Sequence, residues 1–176
     1  MPSELKSPVL SLVLTYPGLS PIFLPRAQQD FPMASETTLI LFKPDCVQKG
    51  LTGIVLDRYL QAGFRIRGLK MLQATDELLD EHYAHIAGLP FFPSVQSFMK
   101  EAPIVALALE GENVISRVRD ILGPTDSNEA AAGTIRGDFG AKDSDSKMRN
   151  ICHASDSSDA AKAELKRFFG EGEIFG

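Results

Sequence analysis

The sequence predicts an α/β fold in which helices pack against a β-sheet, and three observations support this class. Short apolar runs of strand length alternate along residues 37–169 with amphipathic stretches of helical length. Glycines follow several of the helical stretches, where helices commonly end. The chain has 176 residues, 44% of them hydrophobic, which is enough to bury one sizeable core. We expect the helices on one face of the sheet, although periodicity alone does not give the order of the strands.

The first half of the domain starts with a strand over residues 38–43. A helix over residues 51–62 follows, with Gly63 in the position that ends helices, and a second strand covers residues 64–72. Thr75, with acidic residues directly after it, is typical of a helix start and predicts a helix through His85.

The second half begins with a short helix over residues 94–100 and an apolar strand over residues 104–109. A helix over residues 113–122 stops at Gly123. Polar loops cover residues 123–133 and 140–149. The domain ends with a brief strand over residues 150–152 and a last helix over residues 158–169.

The chain divides into an N-terminal extension, residues 1–36, and a folded domain, residues 37–176. The extension is rich in proline and has no periodicity, so we interpret it as a flexible tail or a mis-assigned start, with translation from Met33 as an alternative. Its apolar part is interrupted by Pro17 and Pro21, which predicts no membrane span and only a weak signal peptide.

Charge and cysteine content restrict the function. The net charge of −5 argues against a broad basic face for nucleic acid, so phosphate chemistry must rely on a few local cations. Cys46 and Cys152 form no disulfide pattern, which favours a reducing, cytoplasmic location.

The stretch "NICHASDS", residues 150–157, is the strongest candidate for chemistry. His153 precedes Ser155, Asp156 and further residues of the type that caps helices, so its ring should lie near a helix start that favours anions. A lone histidine at a strand end is more often structural, with its ring bonded to a backbone carbonyl. A serine or cysteine nucleophile activated by His153 lacks the sequence signatures of that chemistry.

A metal site is a further alternative, with Cys152, His153 and Asp156 as ligands. Adjacent residues of a strand point to opposite faces, so Cys152 and His153 are poorly placed to hold one ion. His82 and His85 have no spaced partner and are expected on an exposed helix surface.

The remaining interpretation makes the imidazole of His153 a nucleophile toward phosphorus. A largely neutral imidazole has a free lone pair at pH 7. Lys43, Arg119 and Arg136 lie where the chain turns and supply candidate cations. Neither a Walker A sequence nor a G-x-G-x-x-G loop occurs, so nucleotides would be held without those motifs.

The motifs together resemble one known family. "LILFKPDCVQKGLTGIVLDRYLQAGFRIRGLKM", "HYAHIAGLPFF", "GPTDSNEAAAGTIRGDFG" and "NICHASDS" are similar to nucleoside diphosphate kinases, over residues 37–169. The resemblance implies a ferredoxin-like βαββαβ fold with a four-stranded antiparallel sheet, and a homo-oligomer that is a tetramer or a hexamer. It also implies transfer of the terminal phosphoryl group of a triphosphate, mainly ATP with Mg²⁺, to nucleoside diphosphates through a phosphohistidine.

The resemblance implies a role for each matching residue. His153 is the expected nucleophile, acting through Nδ1, and Ser155 and Glu164 are expected to steady it. Phe91 is expected to stack on the base and Tyr83 to line the floor, and stacking predicts poor base selectivity. The positions expected to contact phosphates and sugar are Lys43, Arg119, Thr125, Arg136 and Asn150.

Three features depart from the family pattern. Ala154 replaces a common glycine beside the nucleophile and must avoid positive φ or accept strain. Residues 125–127 read Thr-Asp-Ser, where threonine-asparagine-proline is commoner, and the loop 140–149 is about four residues longer than usual by comparison with the family. These changes leave open an alternative function as a catalytically weak nucleotide-binding or scaffold protein.

Overall fold

The computed structural model describes residues 35–176. The predicted extension lies outside the described residues except for its last two positions, so the domain division stays a prediction. The described strands are β1 (Glu36–Phe42), β2 (Arg65–Leu72), β3 (Ile104–Gly111) and β4 (Cys152–Ala154). The described helices are α1 (Pro44–Gln48), α2 (Thr52–Gln61), α3 (Asp76–His82), α4 (Phe92–Met99), α5 (Val114–Leu122), α6 (Ile135–Phe139) and α7 (Ser158–Phe168).

The four strands form one sheet in the order β2-β3-β1-β4, and all three pairs are antiparallel. This confirms the four-stranded antiparallel sheet that the resemblance implies. β1 is central and pairs with β4, so that Leu41 lies opposite His153. The register therefore places the candidate nucleophile on an edge strand, beside the buried central strand β1.

Helices pack on both faces of the sheet, so the expectation of one covered face is wrong. Ile40 and Phe42 of β1 belong to one buried cluster, with side chains from α2 and α5. Leu39 and Leu41 belong to a second cluster, with side chains from α3, α4 and α7. The physical reason is visible in β1 and β3, whose apolar runs are continuous rather than alternating, as in strands that are buried on both faces.

Strand β4 begins two residues later than predicted, at Cys152 instead of Asn150. Ile151 has a φ of 74°, which breaks the extended backbone directly before the strand. Hydrophobic periodicity does not report a backbone angle, so Asn150 and Ile151 resembled strand residues. The shift moves His153 from the end of a strand into the middle of one.

The short helices α1 and α6 were not predicted. Pro44 stands at the start of α1, where its missing N–H costs nothing, and Thr134 caps α6 by accepting a hydrogen bond from the Gly137 amide at 3.0 Å. α1 directly follows Lys43, and α6 carries Arg136. Among the described residues, no helix has the length and apolar character needed to cross a membrane.

Candidate active site

One cavity of about 1280 Å³ collects the side chains that the sequence analysis singled out. Its volume is sufficient for a nucleotide-sized ligand. Nine of the ten predicted site residues line it. The tenth, Ser155, contacts the side chain of Glu164 from behind the cavity wall. The nine are Lys43, Tyr83, Phe91, Arg119, Thr125, Arg136, Asn150, His153 and Glu164.

His153 lies on β4 with its side chain 24% exposed, and its Nε2 is 2.9 Å from Glu164 Oε2. Ser155 Oγ donates to the same carboxylate oxygen at 2.7 Å. Burial alone would raise the pKa of Glu164, but the hydrogen bonds from His153 and Ser155 outweigh it and hold the pKa below its usual value. A charged carboxylate only accepts hydrogen bonds, so Nε2 carries the proton.

Because Nε2 carries the proton, Nδ1 of His153 has the free lone pair. No described residue makes a hydrogen bond to Nδ1. Ser155 is fully buried and also contacts the backbone of Leu39 in β1, which ties the pair formed by His153 and Glu164 to the centre of the sheet. The imidazole is therefore held at one nitrogen and available at the other.

Lys43 follows β1 and is 9% exposed. Its Nζ donates to Asn150 Oδ1 at 2.6 Å and to the carbonyl of Met148 at 3.1 Å. Burial lowers the pKa of Lys43 to about 8, with a further lowering by the charge of Arg136 and an opposing effect of Asp45. Asn150 Nδ2 in turn donates to the Thr125 carbonyl at 2.8 Å, so one amide side chain positions the lysine and the polar loop.

The two candidate arginines differ in how they are held. Arg136, in α6, is buried and donates to the carbonyls of Asn150, Gly123 and Cys152 at 3.3, 2.9 and 2.8 Å. Burial lowers the pKa of Arg136 from its usual range. Arg119, on α5, is exposed, and its guanidinium makes no hydrogen bond to any described residue. One guanidinium is thus fixed in the structure and the other is available to a ligand.

Phe91 and Tyr83 form the aromatic part of the cavity. The Phe91 side chain is 52% exposed, an unusual position for a phenylalanine and one that offers a ring face to a ligand. Tyr83 lies directly after α3, and burial raises the pKa of its hydroxyl, which therefore stays protonated. It can act as a hydrogen-bond donor at any physiological pH.

His82 corrects the expectation of an exposed helix surface, because it is only 6% exposed while His85 is exposed as predicted. Its ring contacts the rings of His153 and Phe168 edge-on, with centroids 4.7 and 5.0 Å apart. Burial, followed by the neighbouring His153, lowers the pKa of His82 to about 3, so the ring is neutral. The sequence contained a signal for this, since His82 is three residues after buried Leu79 on α3.

The loop over residues 140–149 folds onto the polar loop that follows α5. Ser127 N donates to the Ser146 carbonyl at 3.2 Å, Asn128 Nδ2 donates to the Asp143 carbonyl at 3.3 Å, and Lys142 Nζ donates to the Ser127 carbonyl. The start of the polar loop, at Ser127 and Asn128, is thus held by hydrogen bonds to residues 140–149. Ala154 has no positive φ, so it fits β4 without strain.

Comparison with known proteins agrees with this geometry. The family model described as nucleoside diphosphate kinase matches residues 36–174. The nucleoside diphosphate kinase of Rhodopirellula baltica is 48% identical over 79% of this chain and 89% of its own length.

Two solved structures are similar in fold. The nucleoside diphosphate kinase of Aquifex aeolicus has a TM-score of 0.74 and 44% identity, and the match covers 80% of this chain and 99% of that one. A halophilic nucleoside diphosphate kinase from Halobacterium salinarum, in complex with CDP, has a TM-score of 0.77 and 36% identity, covering 81% of this chain and 93% of that one. The chain therefore belongs to the nucleoside diphosphate kinase family and is a phosphotransferase that acts on nucleotides.

Proposed function

We propose that the protein transfers the terminal phosphoryl group of ATP to nucleoside diphosphates in two half-reactions, with His153 as the carrier. The observation that carries the proposal is the hydrogen bond from His153 Nε2 to Glu164. It leaves Nδ1 with a lone pair in a cavity that also holds the cationic side chains of Lys43, Arg119 and Arg136. A covalent carrier lets one site serve donor and acceptor in turn, which is ping-pong kinetics.

In the first half-reaction, the Nδ1 lone pair attacks the terminal phosphorus of the triphosphate. An N–P bond forms as the bond between that phosphorus and the bridging oxygen breaks, and the electron pair of the broken bond stays on the departing diphosphate. The proton stays on Nε2, and the charged Glu164 that accepts its hydrogen bond stabilises the positive charge that develops on the ring. The second half-reaction is the reverse, with a different diphosphate as acceptor.

The cavity's cations match the charge that must be stabilised. Phosphoryl transfer needs alignment and positive charge around the equatorial oxygens rather than proton transfer by the protein. Lys43, Arg119 and Arg136 provide that charge, with Asn150 and Thr125 holding Lys43 and the loop in position. Mg²⁺ enters as part of the triphosphate substrate, bound mainly to its phosphates.

The exposed ring of Phe91 supports a base platform, and Tyr83 supports a donor on the cavity floor. Stacking uses a surface that every base has, so one site accepts purines and pyrimidines with little selectivity. The CDP carried by the Halobacterium salinarum protein supports a nucleoside diphosphate as the ligand of this cavity.

We also propose a homo-oligomer, a tetramer or a hexamer built from two-fold pairs. β2 is an edge strand, and Ile66, Leu69 and Met71 on it are 40, 49 and 59% exposed. An exposed apolar edge pairs readily with its own copy in the antiparallel sense. Free Cys46 and Cys152 support a reducing, cytosolic compartment, which cell fractionation tests.

Incubation of the protein with Mg²⁺ and ATP labelled on its terminal phosphate tests the function. The protein should gain a label that is stable in alkali and lost in acid, and the label should leave on addition of GDP or CDP. His153→Ala should gain none, and equal labelling of that variant would refute the assignment. If the protein binds nucleotide but gains no label, it is instead the catalytically weak nucleotide-binding or scaffold protein.

A further inference from the structure

His82 is a buried histidine without a hydrogen-bond partner for either ring nitrogen among the described residues. A buried polar group without a partner costs free energy, so such a group calls for a physical explanation. Neither nitrogen of His82 has a part in the phosphoryl transfer proposed above. The ring is nevertheless in direct contact with that of His153.

Glu164 completes a group of three possible metal ligands. One ligand atom from each of His82, His153 and Glu164 lies within 4.8 Å of the other two. His153 Nε2 and Glu164 Oε2 are already 2.9 Å apart. All three residues line the cavity, so a cation can reach them from the same opening as the nucleotide.

The distances fit a small cation after modest movement. Ligand atoms bound to tetrahedral Zn²⁺ at about 2.0–2.2 Å lie about 3.4 Å from one another, so the widest pair must close by roughly 1.4 Å. The side chains of His153 and Glu164 are 24 and 13% exposed, which leaves them room to turn toward an ion. His82 is fixed by packing and serves as the rigid ligand.

We propose that His82, His153 and Glu164 form a binding site for a transition-metal dication, represented by Zn²⁺, and that its occupation inhibits the enzyme. Two imidazole nitrogens and one carboxylate form a donor set that binds Zn²⁺ with a fourth position open. Mg²⁺ prefers oxygen ligands in an octahedron, so the ion that accompanies the nucleotide does not compete well for this site.

Inhibition is expected because the ion would bind His153 and Glu164, the two residues on which the phosphoryl transfer depends. Zn²⁺ bound at His153 Nε2 takes the place of the proton there, and that proton moves to Nδ1, so the ring loses the lone pair that attacks phosphorus. The ion also binds the Glu164 carboxylate, which then no longer orients the ring. The inhibition rests on the proposed function of His153, whereas the binding of the ion does not.

Calorimetric titration of the metal-free full-length protein with Zn²⁺, without nucleotide, tests the site. The wild type should bind one ion per chain, and His82→Phe and Glu164→Gln should each weaken binding by at least about tenfold, because losing a ligand costs more than losing a supporting residue. His85→Phe, at an exposed histidine three residues away, and Cys46→Ala, at a buried thiol, should bind like the wild type. Circular dichroism verifies that each variant is folded.

Equal affinity of the wild type and folded His82→Phe, or no saturable binding at all, would overturn the site. A loss of affinity in Cys46→Ala with none in His82→Phe would overturn it too, by moving the ion to the thiols. Inhibition is measured separately, as lower phosphoryl labelling of the zinc-loaded protein that a chelator restores. If the metal-free protein binds Zn²⁺ as expected but is never labelled by ATP, the proposed function fails while the site stands.

Discussion

Arg119 and Arg136 line the same cavity but are held in different ways, and this difference leads to separable effects. Arg136 donates to three backbone carbonyls and thereby holds α6, the loop after α5 and the start of β4 together. The guanidinium of Arg119 makes no hydrogen bond to a described residue, so its charge is available to a ligand in the cavity.

Arg119→Ala should lower the rate of phosphoryl transfer roughly 100- to 1000-fold, as the removal of an electrostatic stabiliser does, with little change in the free energy of unfolding. Arg136→Ala should lower both the rate and the free energy of unfolding, because three buried carbonyls lose their donor. Single-turnover kinetics and denaturant unfolding measure the two quantities. An unchanged rate in both variants would argue against a role in phosphate binding.

Lys43 gives the free enzyme a pH dependence in the alkaline range. Its pKa is lowered to about 8, chiefly by burial, so the ammonium loses its charge as the pH rises through that value. We therefore expect kcat/KM for ATP, which reports the free enzyme, to fall above about pH 8. A bound triphosphate favours the charged ammonium, so kcat itself should fall only at higher pH.

Lys43→Arg is the matched variant, since a guanidinium keeps its charge throughout this range. It should be slower than the wild type at pH 7 but show no decline of kcat/KM between pH 7.5 and about 9. A decline of the same size in both proteins would assign the titration to another group.

At the same scale, the sequence was informative about the site where polar residues lie at chain turns. Lys43, Arg119 and Arg136 stood out for this reason, and all three line one cavity. His82 was missed because its burial follows from its position on α3 relative to Leu79, whereas the sequence analysis considered only its spacing to His85. The carbonyl contacts of Arg136 are also beyond a sequence argument, because they depend on how distant backbone segments meet.

At the level of elements, the end of α5 and the start of α6 meet at Gly123. This residue has a φ of 86°, and a Cβ placed on it would lie 2.8 Å from Thr134 Oγ1, the group that caps α6. Gly133 has a similar φ of 91°, but a Cβ there would meet nothing within 4 Å. A substitution at Gly133 would therefore introduce backbone strain alone, whereas one at Gly123 would add a steric clash.

Gly133→Ala should lower the free energy of unfolding by about 1–2 kcal/mol through left-handed backbone strain alone. Gly123→Ala should lower it further, because the methyl group displaces Thr134 and with it the helix that carries Arg136, and it should also slow phosphoryl transfer. Denaturant unfolding and transfer assays on both variants provide the measurement. Equal losses of stability with equal rates would contradict the proposed link between Gly123 and α6.

The elements themselves were largely predictable where apolar patterning is long, as in β2 and α5, whose observed bounds differ from the predicted ones by one residue at one end. β4 was displaced because a three-residue strand has no periodicity, and its start depends on the backbone angle of Ile151. The unbroken apolar sequence of β3 indicated helices on both faces of the sheet. A strand with one solvent-exposed face would instead alternate apolar and polar residues.

For the whole molecule, the exposed edge of β2 predicts how copies assemble. Leu69→Lys places a charge at the centre of the apolar edge and should convert the proposed oligomer into smaller species at equal protein concentration. Leu89→Lys is the control, because Leu89 is 44% exposed in the segment between α3 and α4, outside the sheet. Light scattering after size-exclusion chromatography reports the mass, and an unchanged mass for Leu69→Lys would exclude this edge as the interface.

The central claim concerns one atom, Nδ1 of His153, and its most direct test identifies the phosphorylated nitrogen. The protein is incubated with Mg²⁺ and ATP, freed from nucleotide, and examined by phosphorus NMR together with mass spectrometry of its peptides. We predict one phosphoryl group per chain, on Nδ1 of His153, that disappears when GDP is added. A phosphoryl group on Nε2 or on a residue other than His153 would contradict the account, and so would a protein that carries no phosphoryl group.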